Sequence, residues 1–246
     1  MLLLSIVAAA LIESVVSFCG VFLVILAETF VRAFTHRLLG FAIGALLGVA
    51  FFDILPEALD GLASETVFLW VVIGIFIFFV IEKFFRWYHS QTEDWAVAPY
   101  APLIFFGGVI HNFIDGVALT LGFFVSPALG VATTVAILVH EIPHGIADFT
   151  AFTKSGYARA RALAYSFGVS VTTVGGAVFT YLLGSFLTPF LPYLLAVIAG
   201  NFLYLSLSDL LPETHEESSA SHFVSQVVLM VAGAATMYFL GKYIGE

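Results

Sequence analysis

Apolar runs longer than a soluble core could bury decide what this chain can fold into. Broken by charged or turn-forming residues, they read as eight helices over residues 2–30, 38–59, 66–87, 101–124, 127–152, 159–186, 190–211 and 223–244. Each is near or above the roughly 20 apolar residues that a helix needs to cross the hydrocarbon core of a bilayer. Charged residues make up only 10% of the chain, whereas soluble domains carry about 25%, so a soluble globular protein is excluded. The sequence therefore predicts an all-α integral membrane protein, multi-pass in the lipid bilayer, with residues 1–246 forming one transmembrane domain and no soluble appendage. The first run has no basic residues ahead of it, exceeds a signal-peptide core in length and contains Glu13. It reads as a retained helix rather than a cleaved leader.

Charge narrows the partners. Eight Lys and Arg against 17 Asp and Glu give a net charge of −9, which argues against nucleic acid or anionic lipid headgroups as partners and makes cations the natural clients. The basic residues also orient the chain, because cytoplasmic loops accumulate Lys and Arg. Arg32 and Arg37 follow the first run, Lys83 and Arg86 close the third, and Lys154, Arg159 and Arg161 separate the fifth from the sixth. Both termini are thus expected outside the cytoplasm, with Lys242 the one basic residue on the outer side, and the cell membrane is the expected location. The longest polar stretches, 88–98 and 213–221, then face the cytoplasm. His89, Glu93 and Asp94 in one, with His215, Glu216, Glu217 and His222 in and beside the other, read either as solvated loop residues or as loose cation holders. The single cysteine, Cys19, can close no internal disulfide and is expected to be a packing residue.

An internal echo is visible. Asp53-Ile-Leu-Pro-Glu57 at the end of the second run matches Asp209-Leu-Leu-Pro-Glu213 at the end of the seventh. The two helices would run in opposite directions, so the echo reads either as a trace of inverted repeats, as in many transporters, or as a shared way of ending a helix.

Ionisable groups near mid-membrane cost about 2.5–3.5 kcal/mol each on insertion scales and so need a partner or a purpose. They concentrate in two runs. The fourth contains His111-Asn112-Phe113-Ile114-Asp115-Gly116 and the fifth His140-Glu141-Ile142-Pro143-His144-Gly145-Ile146-Ala147-Asp148. Spacing of four puts His111 and Asp115 on one helix face and His140, His144 and Asp148 on another. Three imidazoles and a carboxylate converging on one point suit a borderline divalent metal and the tetrahedral preference of zinc. Asn112 and Glu141, about 100 degrees round their helices, are placed to serve an adjacent second ion or to orient the first set. Asp148, one turn nearer the cytoplasm, reads as a stepping stone for a departing ion. Pro143 removes the backbone donor to the carbonyl of residue 139 and is expected to kink its helix, while Gly116 and Gly145 are expected to let the fourth and fifth helices approach each other.

The pair HNFIDG and HEIPHG resembles the signature of the ZIP (Zrt/Irt-like) family of divalent metal transporters. The similarity extends to Gly44-Ala45-Leu46-Leu47-Gly48 through Leu55-Pro56-Glu57, and to Asn201-Phe202-Leu203-Tyr204 through Leu211-Pro212-Glu213. The resemblance implies an eight-helix bundle with inverted-repeat character and a primary metal site of His111, Asp115, His140 and His144. It implies a second site of Asn112 and Glu141 bridged by Asp115. It further implies a homodimer that imports metal into the cytoplasm, with helices one, four, five and six moving against the rest. The expected cargo is Zn2+, with Fe2+, Mn2+, Co2+ and Cd2+ as further candidates, and no cofactor is expected. Many relatives carry Glu where Gly145 stands, and Gly-Asp where this chain has Ala147-Asp148. In helix two, relatives often show Asp and then His four residues on, where this chain has Val49 and Asp53; Asp53 and Asp148 are the candidates for the ion's way in or out. The His-rich loop that many relatives carry between helices three and four is reduced to His89.

An enzyme is the competing reading, because His140 to His144 also fits H-E-x-x-H, in which two His hold zinc and Glu activates water. Asp115 would be the third ligand of such an intramembrane metalloprotease. Pro143 argues against it by interrupting the regular turn that fixes that motif, and His111 tends to close the coordination position that catalysis leaves open. A metal-gated channel needs the same membrane site and is separated from a carrier only by its kinetics.

Overall fold

A computed structural model describes residues 1–26, 28–90, 100–154, 156–216 and 220–244. They are helical almost throughout, and eight helical segments among them are long and apolar enough to cross a membrane. In chain order the helices are α1 (Leu2–Leu26), α2 (Glu28–Val49), α3 (Leu55–Gly61), α4 (Ser64–Ser90), α5 (Tyr100–Val125), α6 (Pro127–Lys154), α7 (Arg159–Ser170), α8 (Thr172–Leu182), α9 (Gly184–Leu187), α10 (Leu191–Tyr204), α11 (Leu211–Glu213) and α12 (Ala220–Ile244). Three spans are composite: α2 with α3, α7 with α8, and α9 through α11.

Expected boundaries differ from the observed ones in two instructive places. The first link was expected after residue 30, but α2 already begins at Glu28, so Arg32 and Arg37 lie on its opening turns instead of in a loop. The Asp-x-Leu-Pro-Glu echoes do not end their helices either. Each sits on a widened π turn, Ala50–Ile54 and Leu205–Leu210, that leads into α3 and α11. The residue before each proline donates five residues back, Leu55 to Ala50 and Leu211 to Ser206. Proline lacks the donor and crowds the carbonyl four residues earlier, and a π turn accommodates both defects without stopping the helix. Pro143, by contrast, lies inside a helix that continues from Pro127 to Lys154. That helix ends at Gly156, whose φ of 85° is open to glycine. Gly156 N donates to Thr153 O and Tyr157 N to Phe152 O, the paired bonds of a Schellman cap.

Small residues set the helix pairs. A Cβ on Gly44 or Gly233 would strike the facing backbone where α2 crosses α12, and the same holds for Gly74 and Gly200 where α4 crosses α10, and for Gly116 and Gly176 where α5 crosses α8. Backbones this close gain the dispersion contacts that hold helices together in lipid, where apolar burial offers little drive. The expectation that Gly116 and Gly145 bring the fourth and fifth spans together is corrected: Gly116 faces Thr173 and Ala177 of α8, and Gly145 faces Ser17 of α1. Gly116 shares a helix face with Asn112 and Gly145 with Glu141, about 100° round from Asp115 and His140, so the space each frees goes to a third neighbour. The outermost helices, α4 and α12, bury the smallest share of their residues and present Phe68, Phe76, Phe84, Val227, Val231 and Phe239 outward, as a lipid-facing surface does. Cys19 is exposed as well, so it is not the packing residue expected; an apolar run in a membrane helix supplies the lipid face as well as the core. Glu93, Asp94 and Glu217, and the side chains of His89, Glu216 and His222, lie outside the described residues.

Candidate metal centre

Inside this bundle, α5 and α6 pack along each other and α1 closes over α6. The i, i+4 spacing puts His111 and Asp115 on the face of α5 that meets α6, and His140 and Glu141 answer from α6. Asp115 and His140 are wholly buried and Glu141 nearly so, while His111 is half-buried. The His111 and His140 Nε2 atoms are 3.3 Å apart, and Asp115 Oδ2 lies 3.4 Å from each. Glu141 Oε2 is 3.6 Å from His111 Nε2. One ligand atom from each of the four residues lies within 4.8 Å of the others. Tetrahedral zinc with bonds of about 2.0–2.1 Å sets its ligand atoms about 3.3–3.4 Å apart, which the two imidazole nitrogens and Asp115 Oδ2 match, with Glu141 Oε2 at a slightly longer 3.6 Å from His111.

The remaining contacts keep those atoms aimed. His140 Nδ1 lies 3.2 Å from the Ala136 carbonyl, and a donor there leaves Nε2 as the lone-pair nitrogen. Glu141 Oε1 accepts from Ser17 Oγ at 3.0 Å and Asn112 Nδ2 at 3.1 Å. Asn112 also donates to the Gly108 carbonyl and accepts from Thr173 Oγ1 at 3.1 Å. Both Asp115 oxygens and Glu141 Oε2 are buried with no hydrogen-bond partner among the described residues. Orphaned anionic oxygens in a dry interior carry a large desolvation cost that a bound cation relieves.

His144, expected as the fourth ligand of the primary set, is not in the four-residue group. Its ring stacks on His111 with centroids 4.3 Å apart and planes 5° from parallel, and its Nδ1 lies 3.8 Å from Asp148 Oδ2. Both His111 and His144 line a cavity of about 210 Å³ that also touches Glu82 of α4, Asn201 and Tyr204 of α10, and Asp209. The Tyr204 hydroxyl donates to Glu82. Asp53 is elsewhere, against Gly241 of α12. Ser17 and Thr173 beside the cluster, and Glu82 and Asp209 across the cavity, carry no spacing signal in the sequence that ties them to it. The polar positions 13, 14 and 17 in an otherwise apolar first span were the available sign of a face turned inward.

A comparison with known families matches the ZIP Zinc transporter family over residues 2–103 and 95–241. The chain belongs to that family. Among curated proteins it is similar to zinc transporter ZIP13 of Pongo abelii, 32% identical over 224 residues that cover 85% of this chain and 67% of that protein. It is 29% identical to ZIP13 of Mus musculus over 259 residues, with 85% and 70% covered. Zinc transporter ZIP10 of Danio rerio is 32% identical over 161 residues, 63% of this chain and 19% of that protein. The chain is thus a multi-pass membrane protein of a transporter family, and the metalloprotease reading of His140 to His144 finds no support in its relatives.

Proposed function

We propose that the protein carries divalent metal, zinc foremost, across the membrane into the cytoplasm. The observation that carries this reading is the four-residue group of His111, Asp115, His140 and Glu141, buried between two candidate spans with ligand-atom spacings suited to one tetrahedral ion. In this reading those four hold the ion, His144 and Asp148 receive it next, and Asn112 steadies Glu141. With the termini outside the cytoplasm, α6 runs inward, so the order His140, His144, Asp148 leads toward the cytoplasm. The cavity bordered by Glu82 and Asp209 then lies along that exit and separates α5 and α6 from α4 and α10, which supports movement of the first, fourth, fifth and sixth spans (α1, α5, α6 and α7–α8) against the rest. A single transmembrane domain, inverted repeats marked by the two π turns, a homodimer and a place in the cell membrane belong to the same reading. Asp53, set against α12, has its role near one mouth of the protein.

Uptake by purified protein in proteoliposomes, measured across zinc, iron, manganese, cobalt and cadmium, tests it. Saturable, temperature-sensitive uptake with zinc among the preferred ions is expected. Discrete single-channel currents without saturation would replace the carrier by a channel, and no metal flux would overturn the reading.

A further inference from the structure

We propose that Glu13 of the first span is a metal ligand, completing with Asn112, Asp115 and Glu141 a second divalent-cation position on the α1 side of the cluster. The inference rests on the cluster holding divalent metal, as proposed above. Glu13 is wholly buried in a helix whose other buried residues among those described are Ile6, Ala9, Ala10, Ser14, Ser17 and Val21. Its electrostatic neighbours are two more acids, Glu141 and Asp115, and Glu13 lies just beyond the four-residue group they belong to, on the face of α1 whose Ser17 bonds Glu141. Such a group is costly unless a cation joins it.

The position of Glu13 is fixed from several sides. Ser17, one turn further along the same face, donates to Glu141 Oε1 at 3.0 Å. Thr173 of α8 donates to Asn112 Oδ1 at 3.1 Å. Glu13 Oε2 has only a long 3.4 Å contact from Ser14 Oγ, whose stronger bond is to the Ser170 carbonyl at 2.7 Å. Glu13 Oε1 is buried with no partner, as is Asp115 Oδ1. With the first ion on Asp115 Oδ2 and Glu141 Oε2, Asp115 Oδ1 and Glu13 Oε1 remain as buried, unpartnered oxygens, with the amide oxygen of Asn112 as the neutral donor of the set. An all-oxygen set of this kind suits hard or borderline divalent ions and holds zinc less tightly than the imidazole set.

Calorimetric titration of the purified full-length protein with zinc, and in parallel with cadmium, decides the point. Two ions per protomer of unequal affinity are expected. Glu13→Gln, close in shape and without charge, should keep the first ion and weaken the second about tenfold or more, while Glu13→Asp should weaken it less. Retention of the first ion certifies the fold of each variant. If Glu13→Gln loses both ions, Glu13→Asp decides, with a selectively weakened second ion supporting the role and two unchanged ions refuting it. A single ion per protomer in the parent protein, or two ions unaffected by Glu13→Gln, would overturn the role of Glu13 and leave the proposed function standing. A first ion that persists in His140→Ala would instead overturn the assignment of the first site on which the proposed function rests.

Discussion

His140 shows how one side chain of the proposed metal site is held. Its ring is buried, one nitrogen is turned to the Ala136 carbonyl and the other meets His111 and Asp115 at 3.3 and 3.4 Å. Metal and proton compete for that second nitrogen, and free imidazole takes its proton near pH 6.5. Affinity for zinc should therefore be full above that region and fall as pH drops through it, more steeply for each imidazole that must shed a proton. Binding curves between about pH 7.5 and 5.5 check this, and a flat profile would mean that the carboxylates alone hold the ion. The residue types of the cluster were legible from the sequence, because i, i+4 spacing fixes a helix face. Which of Glu141 and His144 completes the four was not legible. It depends on how α6 is rotated against α5 and on the stacking of His144 upon His111, and both are properties of the packed pair.

At the scale of the element, the number of spans and most of their limits follow from hydropathy, since lipid demands about 20 apolar residues whatever the fold. The links were less readable. A helix that continues through Asp53-Ile-Leu-Pro-Glu57 by widening one turn has the same residues as a helix that stops there, and only the backbone bond from Leu55 to Ala50 tells them apart. Partner choice was equally hidden, because Gly116 states that some backbone comes close without saying whose. The structure names it: Gly116 meets the carbonyl of Thr173, the residue whose hydroxyl bonds Asn112. Gly116→Ala should force α5 and α8 apart and cost about 1–3 kcal/mol, with weaker metal binding although no ligand is changed. Thermal unfolding in detergent, with and without zinc, measures both effects, and an unshifted midpoint with normal zinc stabilisation would refute this packing.

For the whole molecule, the arrangement joins a buried ligand cluster to a cavity of about 210 Å³ at the seam between α5–α6 and α4–α10. An ion held only by rigid packing would not leave, so in the proposed transport this seam would open, with His144 and Asp148 as the residues the ion would meet next. The measurement that bears most directly on this account is zinc uptake into proteoliposomes by the parent protein and by His140→Ala, with equal amounts of folded protein confirmed in each. Saturable uptake by the parent that is reduced to the level of empty vesicles by His140→Ala is the predicted result. Uptake by His140→Ala at the parent's rate and half-saturation would contradict the claim that the His111, Asp115, His140 and Glu141 cluster is where the metal is held.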